Sequence, residues 1–530
     1  MTEVFNPYKE LFNRIIKDCK FSRLGRVFKT DMNYYFYDVG TGKVFQVDNI
    51  LYDILQALSI TNKFDSIFTL RKTSESELIN ALEQLKEVIE NENILQAPPV
   101  NELTGNSVVN LDQALDSSLE QITLEVTESC NMRCKYCIYH SSDIGFRNFG
   151  EANMSFDIAK IAIDELMNKS QGMKEVSIGF YGGEPLLNFG LIKNCINYCQ
   201  EEYKDKKIYY TMTTNATLID KEIANFISTI DNFSITVSLD GSKEVHDKHR
   251  VLMNGKGSFI DTMNGVKLLS NAFGDKVNEY ISFNAVIDDN VDLDYMKALN
   301  EFFSSIEWTT PDTTITLSYI LKEDRDVEYL GIDSEREQNI REKNKQKNHS
   351  VLDKFSFQRL VEQFENQDKN NSKSKLEIGK GALVQELNFI HNRILNDEPV
   401  NQYKMNGCCV PGSRRTYVTV KGEYLLCERI GPCPSIGDVF NGLDKNKIRK
   451  HYVEDFRNES VKYCKDCWAI HLCSLCYMSC YKEDGINISY RHQKCELNRA
   501  SIEEDLIRYH YLLEKYPEEF ETLLNSYTYS

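Results

Sequence analysis

From Gln121 onward the chain repeats a rhythm of apolar run, loop and amphipathic segment, and very few architectures accept that rhythm. QITLEVT, EVSIGFYG, KIYYTMTTN, FSITVSLDG, EYISFNAVI and TITLSYI are six runs rich in β-branched and aromatic residues. Segments such as FDIAKIAIDELMNK, LIKNCINYCQEEY and KEIANFISTI intervene, with apolar residues at helical spacing. Strands that alternate with helices predict parallel strands joined by crossover helices, in a barrel or a doubly wound sheet. Both are α/β folds, and both carry their chemistry on loops at the C-terminal ends of strands. The loop after the first run holds ESCNMRCKYCIYH, and the loop after the second holds GGEP.

The flanking regions read differently. Residues 1–97 form a unit of their own, winged-helix-like. The short runs GRVFKT, NYYFYDV and KVFQV, with a GTG hairpin turn, precede the helical patterns NILYDILQALSI and ELINALEQLKEVIENENI. Residues 98–120, with paired prolines and polar residues, read as a linker. Residues 321–405 are polar and charged apart from LVQELNFIHNRIL, and read as a helical insertion or bridge. Residues 501–530 read as a helical tail. No apolar run approaches the ~20 residues of a membrane span, and the N-terminus lacks a signal-peptide core. The expectation is a soluble cytoplasmic protein. A net charge of −18 disfavours nucleic acid, which is bound through Lys and Arg on phosphates.

Cysteine usage is the other informative signal. Sixteen cysteines in a cytoplasmic chain argue for metal rather than disulfides. Three stand in the first loop and ten between Cys408 and Cys495. Cys195 and Cys199, at i,i+4 on a predicted helix, read as buried apolar thiols. Cys130, Cys134 and Cys137, at C-x3-C-x2-C after a strand, can hold three corners of a 4Fe–4S cube and leave the fourth iron open. The alternative is a zinc site of these three cysteines completed by His140.

With YGGEP one βα unit later, this pattern resembles the radical S-adenosylmethionine (SAM) superfamily. The resemblance implies a partial (β/α)6 TIM-like barrel over residues 121–320, and a cluster on Cys130, Cys134 and Cys137 whose open iron is chelated by SAM. It further implies Tyr136 in the aromatic position before the last cysteine, and Gly182, Gly183 and Glu184 at the SAM amino group. TTNAT resembles the family's third-strand motif, with Ala216 where glycine is common. SLDGSKEVHDKHR resembles the fourth-strand motif, with Ser238 at the ribose and Arg250 at the SAM carboxylate. A plainer alternative makes Asp240 a turn cap and leaves His246 and His249 solvated.

Read for zinc, CKDCWAIHLCSLCYMSC resembles a ribbon or knuckle. Behind a radical SAM domain, residues 406–500 resemble the SPASM extension with its two auxiliary 4Fe–4S clusters. That implies Cys409, Cys427 and Cys476 at the first, with Cys408 or Cys433 available as a fourth ligand, and Cys464, Cys467, Cys473 and Cys495 at the second. Two residues rather than three separate Cys473 from Cys476, so Cys476 and Cys480 compete as the interleaved ligand, Cys476 being favoured. Glu428, after Cys427, stands where related maturases carry a base; it can equally pair with Arg429 or Arg414. The N-terminal unit resembles the element that binds a precursor's leader peptide as an added strand. Together these imply SAM, three 4Fe–4S clusters and a flavodoxin- or ferredoxin-type reductant. The implied enzyme installs sulfur-to-carbon thioether links in a cysteine-rich precursor peptide. A formylglycine-forming sulfatase-type maturase, a peptide epimerase, and a non-enzymatic iron–sulfur carrier or zinc scaffold are the alternatives.

Overall fold

The computed structural model describes residues 3–70, 73–137, 139, 149–288, 291–320, 349–365, 376–405, 407–483 and 485–527. His140, residues 321–348 and residues 366–375 lie outside them. Helix Asn6–Ile15 precedes an antiparallel meander of β1 (Gly25–Lys29), β2 (Tyr34–Asp38) and β3 (Val44–Val47). The β2–β3 turn is tied down by Asp38. Its buried carboxylate accepts from Thr41 N and Oγ1, both at 2.8 Å, and from Leu95 N at 2.7 Å. Helix Asn49–Thr61 starts on the Asp48 cap, and Glu75–Glu92 on a reciprocal Ser74/Glu77 capping box. Their apolar faces, with Ile54, Leu55, Leu58, Leu82 and Leu85, complete a core with the sheet. Among the described residues no strand lies beyond β3. The opposite edge strand, β1, packs on the long helix Ile488–Lys515.

Residues 98–120, expected as a linker, are built into the fold. Val100 and Leu103 join the N-terminal core, and Leu111 and Leu115, at i,i+4 on helix Leu111–Ser117, join the larger one. The two-residue β4 (Leu103–Thr104) supplies one side of a short parallel pair.

The six runs form β5 (Gln121–Thr127), β6 (Glu175–Gly182), β7 (Lys207–Thr214), β8 (Phe233–Ser238), β9 (Ile281–Ile287) and β10 (Ile315–Tyr319). They lie side by side in sequence order, each parallel to the next. A doubly wound sheet reverses order at a switch point; this one does not, and it winds in one direction as a barrel does. Crossover helices include Phe156–Lys169, Phe189–Glu202, Lys221–Ser228, Phe259–Phe273 and Leu293–Ser304. Residues facing them are large and apolar, among them Leu124, Phe180, Met212, Ile235 and Phe283. The other face is polar. In register across it stand Thr123 with Gly179, Thr211 with Ser234, Thr236 with Ser282, and Ser238 with Asn284. Thr236 and Ser282 share a 2.9 Å hydrogen bond. Small hydroxylated side chains cannot fill a barrel as Val, Ile and Leu do.

Beyond the sixth strand, helices His349–Glu365 and Lys380–His391 bridge the two cores. Leu352 and Phe355 belong to the barrel core, while Leu360, Phe364, Leu383 and Leu387 belong to the N-terminal core. β11 (Tyr403–Lys404) pairs with β4. β12 (Arg415–Val418) then adds a seventh parallel strand beside β5, and β13 (Glu423–Leu425), β14 (Gly437–Asp438) and β15 (Gly442–Leu443) extend the sheet antiparallel. β16 (Tyr481–Lys482) and β17 (Gly485–Ile486) make a separate hairpin. Helix Ile488–Lys515 runs through the expected boundary at residue 500 and carries Cys495 near its start.

Candidate functional site

The cysteine loop leaves β5 and is clamped from two sides. The GGE turn after β6 donates Gly183 N to Thr127 O and Glu184 N to Ser129 O, both at 2.9 Å. The segment after β8 accepts Arg133 N at Val251 O (2.7 Å) and Lys135 N at His249 O (3.0 Å), and donates Met253 N to Asn131 O (3.2 Å). The glycines have a steric reason. A Cβ on Gly182, whose φ is +137°, would stand 2.2 Å from Thr127 O, and one on Gly183 2.2 Å from Ser129 O. The close approach these glycines allow is therefore to the cysteine loop's own backbone.

Cys134 is buried, while Cys130 and Cys137 are half-buried. Burial pushes the Cys130 thiol up to about 12 and the Cys137 thiol to about 11. A coordinating cation reverses that order of protonation. Glu184, 1% exposed, accepts from Thr214 Oγ1 at 2.6 Å, Asn215 N at 2.8 Å and Leu186 N at 3.2 Å. It fastens the third-strand motif to the GGE turn. Asn215 Nδ2 donates to Asn131 Oδ1 at 2.9 Å, closing the link back to the cysteine loop. Ala216 stands buried at φ +60°, the backbone region for which glycine is usual.

Across the loop, Tyr136 donates to Asp240 Oδ2 at 2.7 Å, and Arg250 Nη1 donates to the Tyr136 oxygen at 2.8 Å. Asp240 also accepts Val286 N from β9 at 3.0 Å, so it joins two strand ends rather than capping a local turn alone. Ser238, at the end of β8, is buried and level with Asn284. His246 is not solvated: it is wholly buried, its Nε2 3.0 Å from Ser258 Oγ, and burial pulls it down to about 3. His249 instead lies beside Asp288, at 3.2 Å. Arg250 is 6% exposed, and its Nε has no hydrogen-bond partner among the described residues. A buried cation with an unused donor, near the Cys134 and Cys137 thiols, fits a bound carboxylate beside a thiolate-held cluster.

The C-terminal cysteines fall into two neighbourhoods. Cys464, Cys467, Cys473 and Cys495 line one cavity, together with Arg491 and Arg499. Four thiolates with no imidazole or carboxylate suit an iron–sulfur cube and also a four-thiolate zinc. Among the described residues no three His, Cys, Asp or Glu gather closely enough to hold a single metal ion. Burial raises the Cys464, Cys467 and Cys495 thiols, Cys467 to about 12, against the opposing charge of Arg499. In the second neighbourhood, buried Cys480 donates to Cys476 O at 3.2 Å, and Cys408 is influenced by both thiols. Cys427 feels Cys476 as well. Cys409 is exposed, and Cys433 is buried next to Tyr452. Among the described residues Glu428 pairs with Arg415 at 2.7 Å and Arg429 at 3.8 Å.

Three functional candidates escaped the sequence reading. Arg491 and Arg499 flank Cys495 at i−4 and i+4 on one helix, a spacing visible in RHQKCELNR. Arg491 lies between the two neighbourhoods, where Cys464, Cys495 and Cys480 all act on it. Tyr417 of β12 gave no such signal. It reaches Tyr181 with ring centroids 6.3 Å apart and the Tyr139 hydroxyl at 3.4 Å.

Residues 124–303 match the family model described as the Radical SAM superfamily. The chain is 31% identical over 157 residues to the cysteine-type anaerobic sulfatase-maturating enzyme of Clostridium novyi, covering 29% of this chain and 41% of that one. It is 25% identical over 272 residues to the radical SAM cyclopropyl synthase TigE of Paramaledivibacter caminithermalis, covering 49% and 55%. The matches thus span about half the length of these curated relatives. The solved structure of histidine-tagged anSMEcpe with bound AdoMet superposes with a TM-score of 0.52 at 19% identity, over 77% of this chain and 98% of that one. Since the cysteine loop, the GGE turn and the strands that bring them together all fall within the matched residues, the segment 124–303 belongs to the radical SAM superfamily.

Proposed function

We propose that this chain is a SAM-cleaving peptide maturase that joins a cysteine sulfur of a ribosomally made precursor to a carbon of an acceptor residue. The observation that carries the reading is the convergence at one strand-end rim of three cysteines, the GGE turn and an Arg250 with an unused buried donor. Cys130, Cys134 and Cys137 would hold the cluster, Arg250 would take the SAM carboxylate, and Gly182, Gly183, Glu184 and Ser238 would bound the rest of the cofactor. When bound, SAM and the reduced cluster supply a 5′-deoxyadenosyl radical, which is the cofactor's own chemistry.

The chain's contribution is position. Tyr136 and Asp240 hold Arg250 in place. The polar inner wall of β7, β8 and β9 offers hydroxyls and Asn284 to a peptide backbone entering the barrel. Forming one thioether removes a hydrogen from carbon and a proton from sulfur, and leaves one electron to be taken up. Cys464, Cys467, Cys473 and Cys495 would hold one auxiliary cluster able to accept it. Cys427 and Cys476, with Cys409 or Cys408, would hold another. Glu428, already bonded to Arg415, would take the thiol proton.

The N-terminal unit supports a peptide substrate. Asp38 N donates to Lys43 O, so strand alternation turns the backbone groups of Val44 and Gln46 to the open edge of β3. A leader segment added there would be bound through main-chain hydrogen bonds. Formylglycine formation is the second reading, favoured by the relative that matures sulfatases. Co-expression with a candidate cysteine-rich precursor peptide, followed by mass spectrometry, separates the two. Thioether formation costs the peptide two hydrogens per link and keeps every sulfur, whereas oxidation of cysteine to formylglycine loses sulfur. A product of unchanged mass would reject both.

A further inference from the structure

Two helices bring facing stripes of residues, spaced four apart, to the cavity of Cys464, Cys467, Cys473 and Cys495. Phe456, Ser460 and Cys464 lie on one face of helix Phe456–Cys464, and Arg491, Cys495 and Arg499 on one face of helix Ile488–Lys515. Arg491 is 6% exposed and Arg499 3%. Arg491 is held by the first stripe: its Nη1 donates to Ser460 Oγ, and its guanidinium stands 4.7 Å from the Phe456 ring. Neither of these is a carboxylate, and its Nε has no hydrogen-bond partner among the described residues. A cation buried in this way needs a counter-charge. The groups that act on it are the thiols of Cys464, Cys480, Cys495 and Cys473. Asn498 adds a further donor, its Nδ2 3.7 Å from Cys473 Sγ.

No Asp or Glu is among the described residues that line this cavity. Asp466 and Glu496 adjoin Cys467 and Cys495 in sequence, yet the charges acting most strongly on Cys464 and Cys495 are the two arginines and the other thiols. The cysteine triplet is placed differently. Cys134 feels Asp240 and Glu184 as well as Arg250, and Cys130 feels Glu184. Reduction adds a negative charge to an iron–sulfur cluster, so cations and donors to sulfur raise its potential and carboxylates lower it. We propose that Arg491 and Arg499 set the potential of a cluster on Cys464, Cys467, Cys473 and Cys495, and hold it above that of the cluster on Cys130, Cys134 and Cys137. This rests on the maturase reading above, in which closing the sulfur–carbon bond leaves one electron. The four-thiolate cluster gains that electron and becomes one charge more negative. The arginines make no bond to iron; they act on the charge.

The test is an anaerobic redox titration of the full-length chain, followed by electron paramagnetic resonance. Cys130, Cys134, Cys137, Cys427 and Cys476 are changed to Ala, so that this cavity holds the remaining cluster with about four irons per chain. At the midpoint of that parent, Arg491→Met should lower the ratio of reduced to oxidised cluster at least tenfold, about 59 mV for one electron. Arg491→Lys, which keeps the charge, should stay within about threefold of the parent. Arg457→Met, on the same facing helix but with a guanidinium that pairs with Glu102, should change the ratio less than twofold. An unchanged ratio in Arg491→Met, or equal losses in the Met and Lys variants, would overturn the proposal. If Arg491→Met takes up no iron, Arg499→Met is read in the same way. Loss of iron from both would make the arginines structural and overturn the proposal too, as would zinc in place of iron in the parent. Absence of dithionite-driven 5′-deoxyadenosine from the wild type would sink the maturase reading instead, and the titration would still decide what the arginines do.

Discussion

At the scale of single residues, the site depends on who is excluded as much as on who is present. Gly183 has no side chain to offer a ligand, yet any side chain placed there meets Ser129 O at 2.2 Å. Gly183→Ala should cost about 1–3 kcal/mol by overpacking and push the cysteine loop off its seat. The check is the cluster's electron paramagnetic resonance signal after anaerobic reconstitution, which should fall while the auxiliary signals persist. Arg250 is the complementary case, a buried charge whose Nε is unused. Arg250→Met should weaken SAM binding at least tenfold, about 1.4 kcal/mol, with Tyr136 still bonded to Asp240. Isothermal titration that finds unchanged affinity would remove Arg250 from the carboxylate site. Spacing alone made the three cysteines and GGE legible. The unspent donor of Arg250 was not, because it depends on which neighbours the fold supplies.

At the scale of elements, the bridging helices carry a buried acidic group that no motif announced. Glu386 on helix Lys380–His391 is half-buried with its Oε2 enclosed, and Asp505 on helix Ile488–Lys515 is buried, with Asp353 and Tyr319 nearby and Arg508 the cation that acts on them among the described residues. Burial, reinforced by the neighbouring carboxylates, pushes Glu386 up to about 8 and raises Asp505 as well. A carboxyl whose folded value is raised contributes stability in its protonated form. That contribution is complete below its ordinary value of 4.5 and is lost as pH rises towards 8. Glu386→Gln stays neutral throughout, so its melting temperature should match wild type near pH 5 and exceed it by a few degrees at pH 8.5. An equal shift at both pH values would show that the carboxyl does not titrate in the folded state. The sequence reading expected helix around both acids, but two acids on separate helices meet only after packing.

At the scale of the whole molecule, the N-terminal unit and the C-terminal cysteines share one core. Trp468, Ile470 and Leu472, from the loop between Cys467 and Cys473, are buried with Tyr37, Ile54 and Leu85. Arg26 stacks over Trp468 at 5.5 Å, and Glu503 holds Arg26 at 2.9 Å. A leader strand added to β3 would therefore sit on a body continuous with the thiolate cavity. Gln46→Pro removes a donor on the open side of β3 and leaves its bonds to β2 intact, since an edge position tolerates proline. Precursor processing should fall at least tenfold, with SAM cleavage retained; unaltered processing would mean that the leader binds elsewhere. Trp468→Ala should cost about 3–5 kcal/mol and unfold the N-terminal unit and the cavity together, read as one shifted transition in thermal melting.

What the linear order of residues determined by itself was whatever depends on short spacing and period. The α/β class, the six strands and the cysteine triplet with its GGE partner all belong there. Each is a local pattern of side-chain direction or ligand reach that survives without tertiary context. Tertiary structure alone decided that β12 joins β5 as a seventh parallel strand, that residues 98–120 are packed, and that His246 is buried. It also decided that Cys408 is influenced by Cys476 and that Cys409 is exposed. A four-residue strand or a single polar side chain carries too little local preference to choose its surroundings; partners hundreds of residues away choose for it, through the apolar surface and hydrogen bonds that only packing completes.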